Sequence, residues 1–301
     1  MEVIKKARPQ LKQGTLKNYA TQLRKMEKLF GIEFVDKDPQ EIVEGIHTSG
    51  LSSNYQRNLF AVTIVLLMSI DKDKYAKEIE VFRKEMDKLN KKYVDENQKG
   101  ELVSKNQKEN IITYKELREY IDKVKADIDK EEMLHIVYVV LESLFRTPVR
   151  LDHAGLIFIG KRAFKHLTLE ERSKHNYLVE TRGNKGKLTF AFYQDATTNK
   201  TRPEEFQDLP KDLDKIWRKY LRVMKYQHGD VVIPLTRNHL SQVLRQTSER
   251  YIDKHIGSTL IRKIVLSEKY LDTKEMKEKQ ADFAKKVGHS VAVEDLVYVK
   301  K

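Results

Sequence analysis

The chain has 301 residues, room for two domains and a sizeable core, and 58 Lys and Arg against 45 Asp and Glu give it a net charge of +13. An excess of one sign on this scale favours a polyanionic partner, nucleic acid or an anionic membrane surface. The absence of cysteine removes disulfides, thiolate metal sites and cysteine nucleophiles together. Residues 1–10 lack the apolar core of a signal peptide, and the longest apolar run, 61–70, is about half a membrane span, so a soluble intracellular protein is expected.

From Thr15, the residues Leu16, Tyr19, Leu23, Met26 and Phe30 advance by three and four, as one face of a helix does, and Gly31 ends it. A short helix follows Pro39 through Ile42 and Ile46. Ser52 or Ser53 caps a third through the apolar stretch 59–68, and a fourth carries Tyr75, Ile79, Phe82, Met86, Leu89 and Tyr93. Four such helices make a small bundle with basic outer faces. Residues 95–110 are polar and without helical period, which predicts a linker.

Thr113, with Glu116 three residues on, has the form of a capping box opening a helix through Leu117, Ile121, Val124 and Ile128. A second helix over 131–145 ends before Pro148. The period then changes: 156–159, 176–180 and 188–193 read as short strands, the last two separated by the turn chemistry of 182–187, and a small antiparallel sheet is expected. Beyond Pro210 helices are predicted through Leu213, Trp217 and Tyr220, then over 239–251, 259–270 and 275–287.

Four sequence features stand apart from this framework. Arg150 lies in Thr147-Pro148-Val149-Arg150-Leu151-Asp152, and Arg262 sits inside the otherwise apolar segment 259–266. Gly288-His289-Ser290 follows, and Tyr298 stands nine residues after His289. Each alone has an ordinary reading: Arg150 as a surface arginine, His289 as a helix-end histidine, Tyr298 as an amphipathic helix residue. An arginine among apolar residues, as Arg262 is, needs an acid or an anion beside it.

In this order and spacing the four resemble the catalytic domain of the tyrosine recombinases, the phage-type integrases. Thr15-Leu16-Lys17-Asn18-Tyr19 likewise resembles the opening of that family's core-binding domain. The resemblance rests on motifs in the C-terminal part of the chain and on architecture alone in the N-terminal third. It implies a mainly α protein: a helical, SAM-like core-binding bundle over 1–97 that clamps DNA, a linker over 98–110, and a mostly helical catalytic domain over 111–301 holding a small antiparallel sheet.

The implied activity is cleavage and rejoining of DNA strands without metal or cofactor, in site-specific recombination or integration of a viral or mobile genome. Tyr298 would attack the phosphate, Arg150 and Arg262 clamp it, and His289 donate a hydrogen bond to it and accept the tyrosine proton. The chemistry suits these residue types. A phosphotyrosine conserves the energy of the broken bond, but the free phenol, with a pKa near ~10, needs activation at neutral pH. Arginine offers a permanently charged fork matched to two phosphate oxygens. Double-stranded DNA is the implied partner, with the chain a monomer in free solution and a homotetramer on DNA.

Three points stay open at this stage. Arg146 is a rival to Arg150. The family's leaving-group lysine is placed at Lys200, with Lys185 and Lys187 as rivals in the preceding turn. The family's His-x-x-Arg box here has Thr259 in place of histidine, and His255, seven residues before Arg262, does not take the role. Threonine donates a hydrogen bond but carries no charge. A DNA-binding protein that keeps the fold without catalysis is one alternative, and a type IB topoisomerase, which shares the chemistry, is another.

Overall fold

The computed structural model describes residues 1–98, 105–181, 186–194 and 201–270. The chain divides into two compact units, Met1–Lys108 and Glu109–Lys301.

The first unit is helical: α1 (Glu2–Ala7), α2 (Gln13–Phe30), α3 (Pro39–Thr48), α4 (Ser53–Asp71) and α5 (Ala76–Gln98). Local chemistry sets its boundaries. Gly31 ends α2 at a φ of 90°, a conformation that costs a residue without Cβ little. The Asp38 side chain accepts from the Gln40 amide ahead of Pro39, and the Ser52 hydroxyl from the Tyr55 amide, so α3 and α4 each start on a cap. The apolar α4 runs through the middle, with Leu59, Phe60, Val62, Ile64 and Leu67 buried against the other helices. Gly45 packs flat on the Phe30 ring, where a Cβ would fall 2.4 Å from a ring carbon. The short α1 is an addition to the expected four helices: Ile4 inserts fully into this core and holds a segment whose composition alone reads as a basic tail.

Residues 105–110, read from sequence as part of a linker, form the short helix α6 (Lys105–Asn110), and α5 itself runs on to Gln98. In the second unit α7 (Tyr114–Ala126) opens on the reciprocal Thr113–Glu116 capping box. It packs on α8 (Glu132–Arg146), which is buried on nearly every side from Leu134 to Leu144. Trp217 of α11 (Lys211–Val223) donates its indole N–H to the Ser143 hydroxyl inside this core at 3.0 Å. α12 (Arg237–Ile252) and a last helix, α13 (258–270), complete it, α13 contributing Leu260, Ile261, Ile264 and Val265.

The sheet has four strands in the order β1 (Ile157–Gly160), β2 (Tyr177–Glu180), β3 (Leu188–Gln194) and β4 (Thr201–Asp208). It is mixed, which corrects the antiparallel expectation: β1 and β2 run parallel, and the other pairs run antiparallel. The reason is the connection. Between β1 and β2 lie α9 (Lys161–His166) and α10 (Leu169–Arg172), long enough for the crossover that parallel strands require. One sheet face, with Phe158, Leu178, Phe190 and Phe192, joins the main core; the other, with Tyr177, Val179, Ala191 and Tyr193, is covered by Phe164 of α9. The outer edge of β1 is bonded by 229–233, with Phe158 N–H donating to Asp230 O and Val232 N–H to Leu156 O. Among the described residues no helix is long and apolar enough to cross a membrane.

Candidate active site

Arg150 follows directly from the end of α8. The Thr147 hydroxyl caps back onto the Ser143 carbonyl at 2.9 Å, and Pro148, which has no amide hydrogen, prevents the helix from continuing. The chain then turns, with the Asp152 amide bonded to the Arg150 carbonyl. Asp152 and His153 are both fully buried beneath the exposed Arg150. Asn176 holds this turn to the sheet, donating to the Asp152 carbonyl at 2.9 Å and accepting from the Tyr193 amide at 2.8 Å. Gly155, at a φ of 71°, then directs the chain into β1.

Arg262 arrives from α13. Its neighbours Ile261, Ile264 and Val265 bury one side of the helix, and its Nε–H donates to the Pro148 carbonyl at 2.8 Å. An acid or an anion was expected beside a cation on so apolar a helix; the bond seen here is instead to a neutral main-chain carbonyl. The consequence is positional: Arg262 is bonded to the turn that carries Arg150, so two arginines far apart in sequence come to one corner of the fold.

The rival cation has other work. Arg146 forms ion pairs with Glu142, which is only 2% exposed, and with Asp212 at 2.5 Å. Arg118 reaches the same Glu142 from α7 at 3.0 Å. Arg146 therefore belongs to a network tying α7, α8 and α11 together. Lys187, a rival for the leaving-group lysine, pairs with Asp208 at 3.3 Å. Lys185, Lys200, His289 and Tyr298 lie outside the described residues. Thr259 is exposed in the first turn of α13, and the Nδ1 of His255 faces Glu249 at 3.5 Å.

His153 was not singled out from sequence, and its neighbours in the chain gave no signal for its position. Its ring packs edge-on to Phe190 at 5.1 Å and Phe192 at 5.9 Å, and neither ring nitrogen has a hydrogen-bond partner among the described residues. Burial in this apolar slot pushes its pKa down to about 4, so the ring is neutral at pH 7. It is thus a packing group under the Arg150 turn. Comparison of the chain with descriptions of known protein families and with curated proteins finds no match.

Proposed function

We propose that this chain cleaves and rejoins duplex DNA through a 3′-phosphotyrosine, as the tyrosine recombinases it resembles do, in integration or site-specific recombination of a viral or mobile genome. The observation that carries the reading is the bond from Arg262 to the Pro148 carbonyl, two residues before Arg150, which is compatible with both arginines serving one site. Two guanidinium groups carried by adjoining segments would suit a phosphate whose negative charge grows in the transition state.

In the proposed reaction the Tyr298 oxygen attacks phosphorus and the bond to the 5′ oxygen breaks. His289 takes the phenol proton, and Lys200, which follows β3 and precedes β4 in the chain, protonates the leaving 5′ oxygen. A 5′ hydroxyl from a second strand then reverses the step and releases Tyr298. The helical first unit, with its basic sequence, would contact phosphates, which position a protein on DNA without specifying sequence.

A second reading, a DNA-binding protein without catalysis, is favoured by one observation: Thr259 stands where the family has an imidazole. Both readings require DNA binding. Affinity for a duplex should fall with rising salt, the logarithmic slope having a magnitude of about 0.9 per phosphate contact, and a flat response contradicts both. Cleavage of a suicide duplex separates them.

A further inference from the structure

On the sheet face opposite the main core, α9 and the strands β2 to β4 line a pocket of about 480 Å³, within the range of small-ligand sites. Its floor is apolar, formed by Phe164, Val179 and Phe206. Its rim carries Lys161, Lys165, Arg172 and Lys187, and Asp208 is the one carboxylate among the described lining residues. That carboxylate is already engaged: the Thr189 hydroxyl and the Lys187 ammonium both donate to it.

Phe206 is 52% exposed on the edge strand β4, its ring 5.9 Å from that of Phe164. The Arg172 guanidinium lies over the Phe164 ring at 4.7 Å and is held there by a bond to the Lys165 carbonyl. An exposed ring and a fixed guanidinium plane are the two side-chain surfaces on which a base stacks. Lys161 and Lys165 also line a second, larger hollow of about 860 Å³, together with Arg162, His166 and His228. Glu180, the one carboxylate among the described residues lining it, is held by Arg218 and His228. A stacking pocket that shares Lys161 and Lys165 with a neighbouring cation-lined hollow fits a ligand with a flat ring and repeated negative charges.

We propose that this face of the second unit binds a single-stranded nucleic-acid segment, one unpaired base stacking on Phe206 in the smaller pocket and the neighbouring phosphates lying along Lys161 and Lys165. A duplex keeps its bases inside the helix and cannot fill the pocket. A free nucleotide shares the chemistry but leaves the larger hollow unused. The inference stands on this pocket and not on the reading of Arg150 and Arg262.

The test uses the full chain and four probes: a labelled five-residue oligothymidylate, thymidine monophosphate, a duplex, and a five-residue acidic peptide containing one phenylalanine. The oligonucleotide should bind, Phe206→Ala should weaken it roughly tenfold, the stacking of about one base, and Lys165→Ala should lower its salt slope by about 0.7. Both side chains are exposed, and an unchanged melting temperature would confirm that the variants fold. Duplex affinity should not change with Phe206→Ala, and it reports separately on the strand-transfer reading. Binding of the monophosphate as tight as that of the oligonucleotide would assign the pocket to a free nucleotide and overturn the strand. So would equal binding of the acidic peptide, no binding of the oligonucleotide, or oligonucleotide binding indifferent to Phe206→Ala.

Discussion

The Arg262 Nε–H and the Pro148 carbonyl meet at 2.8 Å across 114 positions of chain. Pro148 is there because the helix α8 must stop before it, and Arg262 is there because the apolar side of α13 enters the main core. Neither constraint concerns the other residue. Their bond therefore fixes a cation at the turn bearing Arg150 without further adjustment of the backbone.

Arg262→Ala should lower single-turnover cleavage by on the order of a hundred-fold or more, from lost stabilisation of transition-state charge. Arg262→Lys should recover only part of this, because an ammonium has no Nε donor for Pro148 and no planar fork for two oxygens. Equal rates for the lysine variant and wild type would show that charge alone suffices and that the bond to Pro148 does not matter.

The two candidate arginines of the first box should separate cleanly. Removing Arg146 by Arg146→Ala leaves Glu142 with Arg118 alone and should cost about 1–3 kcal/mol in unfolding free energy, while cleavage per folded molecule changes little. Arg150→Ala, at an exposed position, should leave stability nearly unchanged and suppress cleavage. Denaturant unfolding and cleavage rates on both variants check this, and the reverse pattern would transfer the catalytic role to Arg146.

His153 gives the protein an acid-sensitive core. Its folded pKa of about 4 lies below the ordinary value of 6.5, so between these pH values the unfolded chain binds a proton that the folded chain refuses. The stabilisation is complete above about pH 6.5 and is lost as pH falls towards 4, a difference of about 3 kcal/mol. His153→Leu should flatten this part of the stability profile measured by denaturant unfolding. A profile equally steep in the variant would place the acid sensitivity elsewhere.

Much of the helical framework was legible because its signals are local. Gly31, Pro39, the Ser52–Ser53 pair, of which Ser52 is the cap, and Thr113 with Glu116 each act within one helical turn, and each marks a boundary found in the structure. What was missed depends on distant packing. The helix α9 carries four basic or histidine residues in six and has no apolar period; only Phe164, seated on the sheet, orders it. β4 contains Pro203 and two glutamates, which argue against a central strand but are tolerated at an edge. Parallel pairing of β1 with β2 could not be read from either strand alone. For the candidate site, the motifs named Arg150 and Arg262, but no spacing rule foretells a bond to Pro148 or a buried His153.

Thr259 lies three residues before Arg262 in α13 and so shares its face of the helix. Thr259→His should raise the cleavage rate, since an imidazole brings a stronger donor to the same phosphate. Single-turnover cleavage of a suicide substrate, at equal DNA occupancy, measures this. Robust wild-type cleavage that the substitution leaves unchanged or lowers would mean that Thr259 or a neighbour already fills the role.

The central claim is that Tyr298 becomes covalently joined to DNA. Wild type and Tyr298→Phe incubated with a nicked suicide duplex, then denatured and resolved by size, test it directly. The account predicts a protein–DNA adduct for wild type and none for the variant, with duplex affinity within a few-fold of wild type. An adduct undiminished in Tyr298→Phe, or no adduct from wild type bound at saturation to its own recombination site, would contradict it.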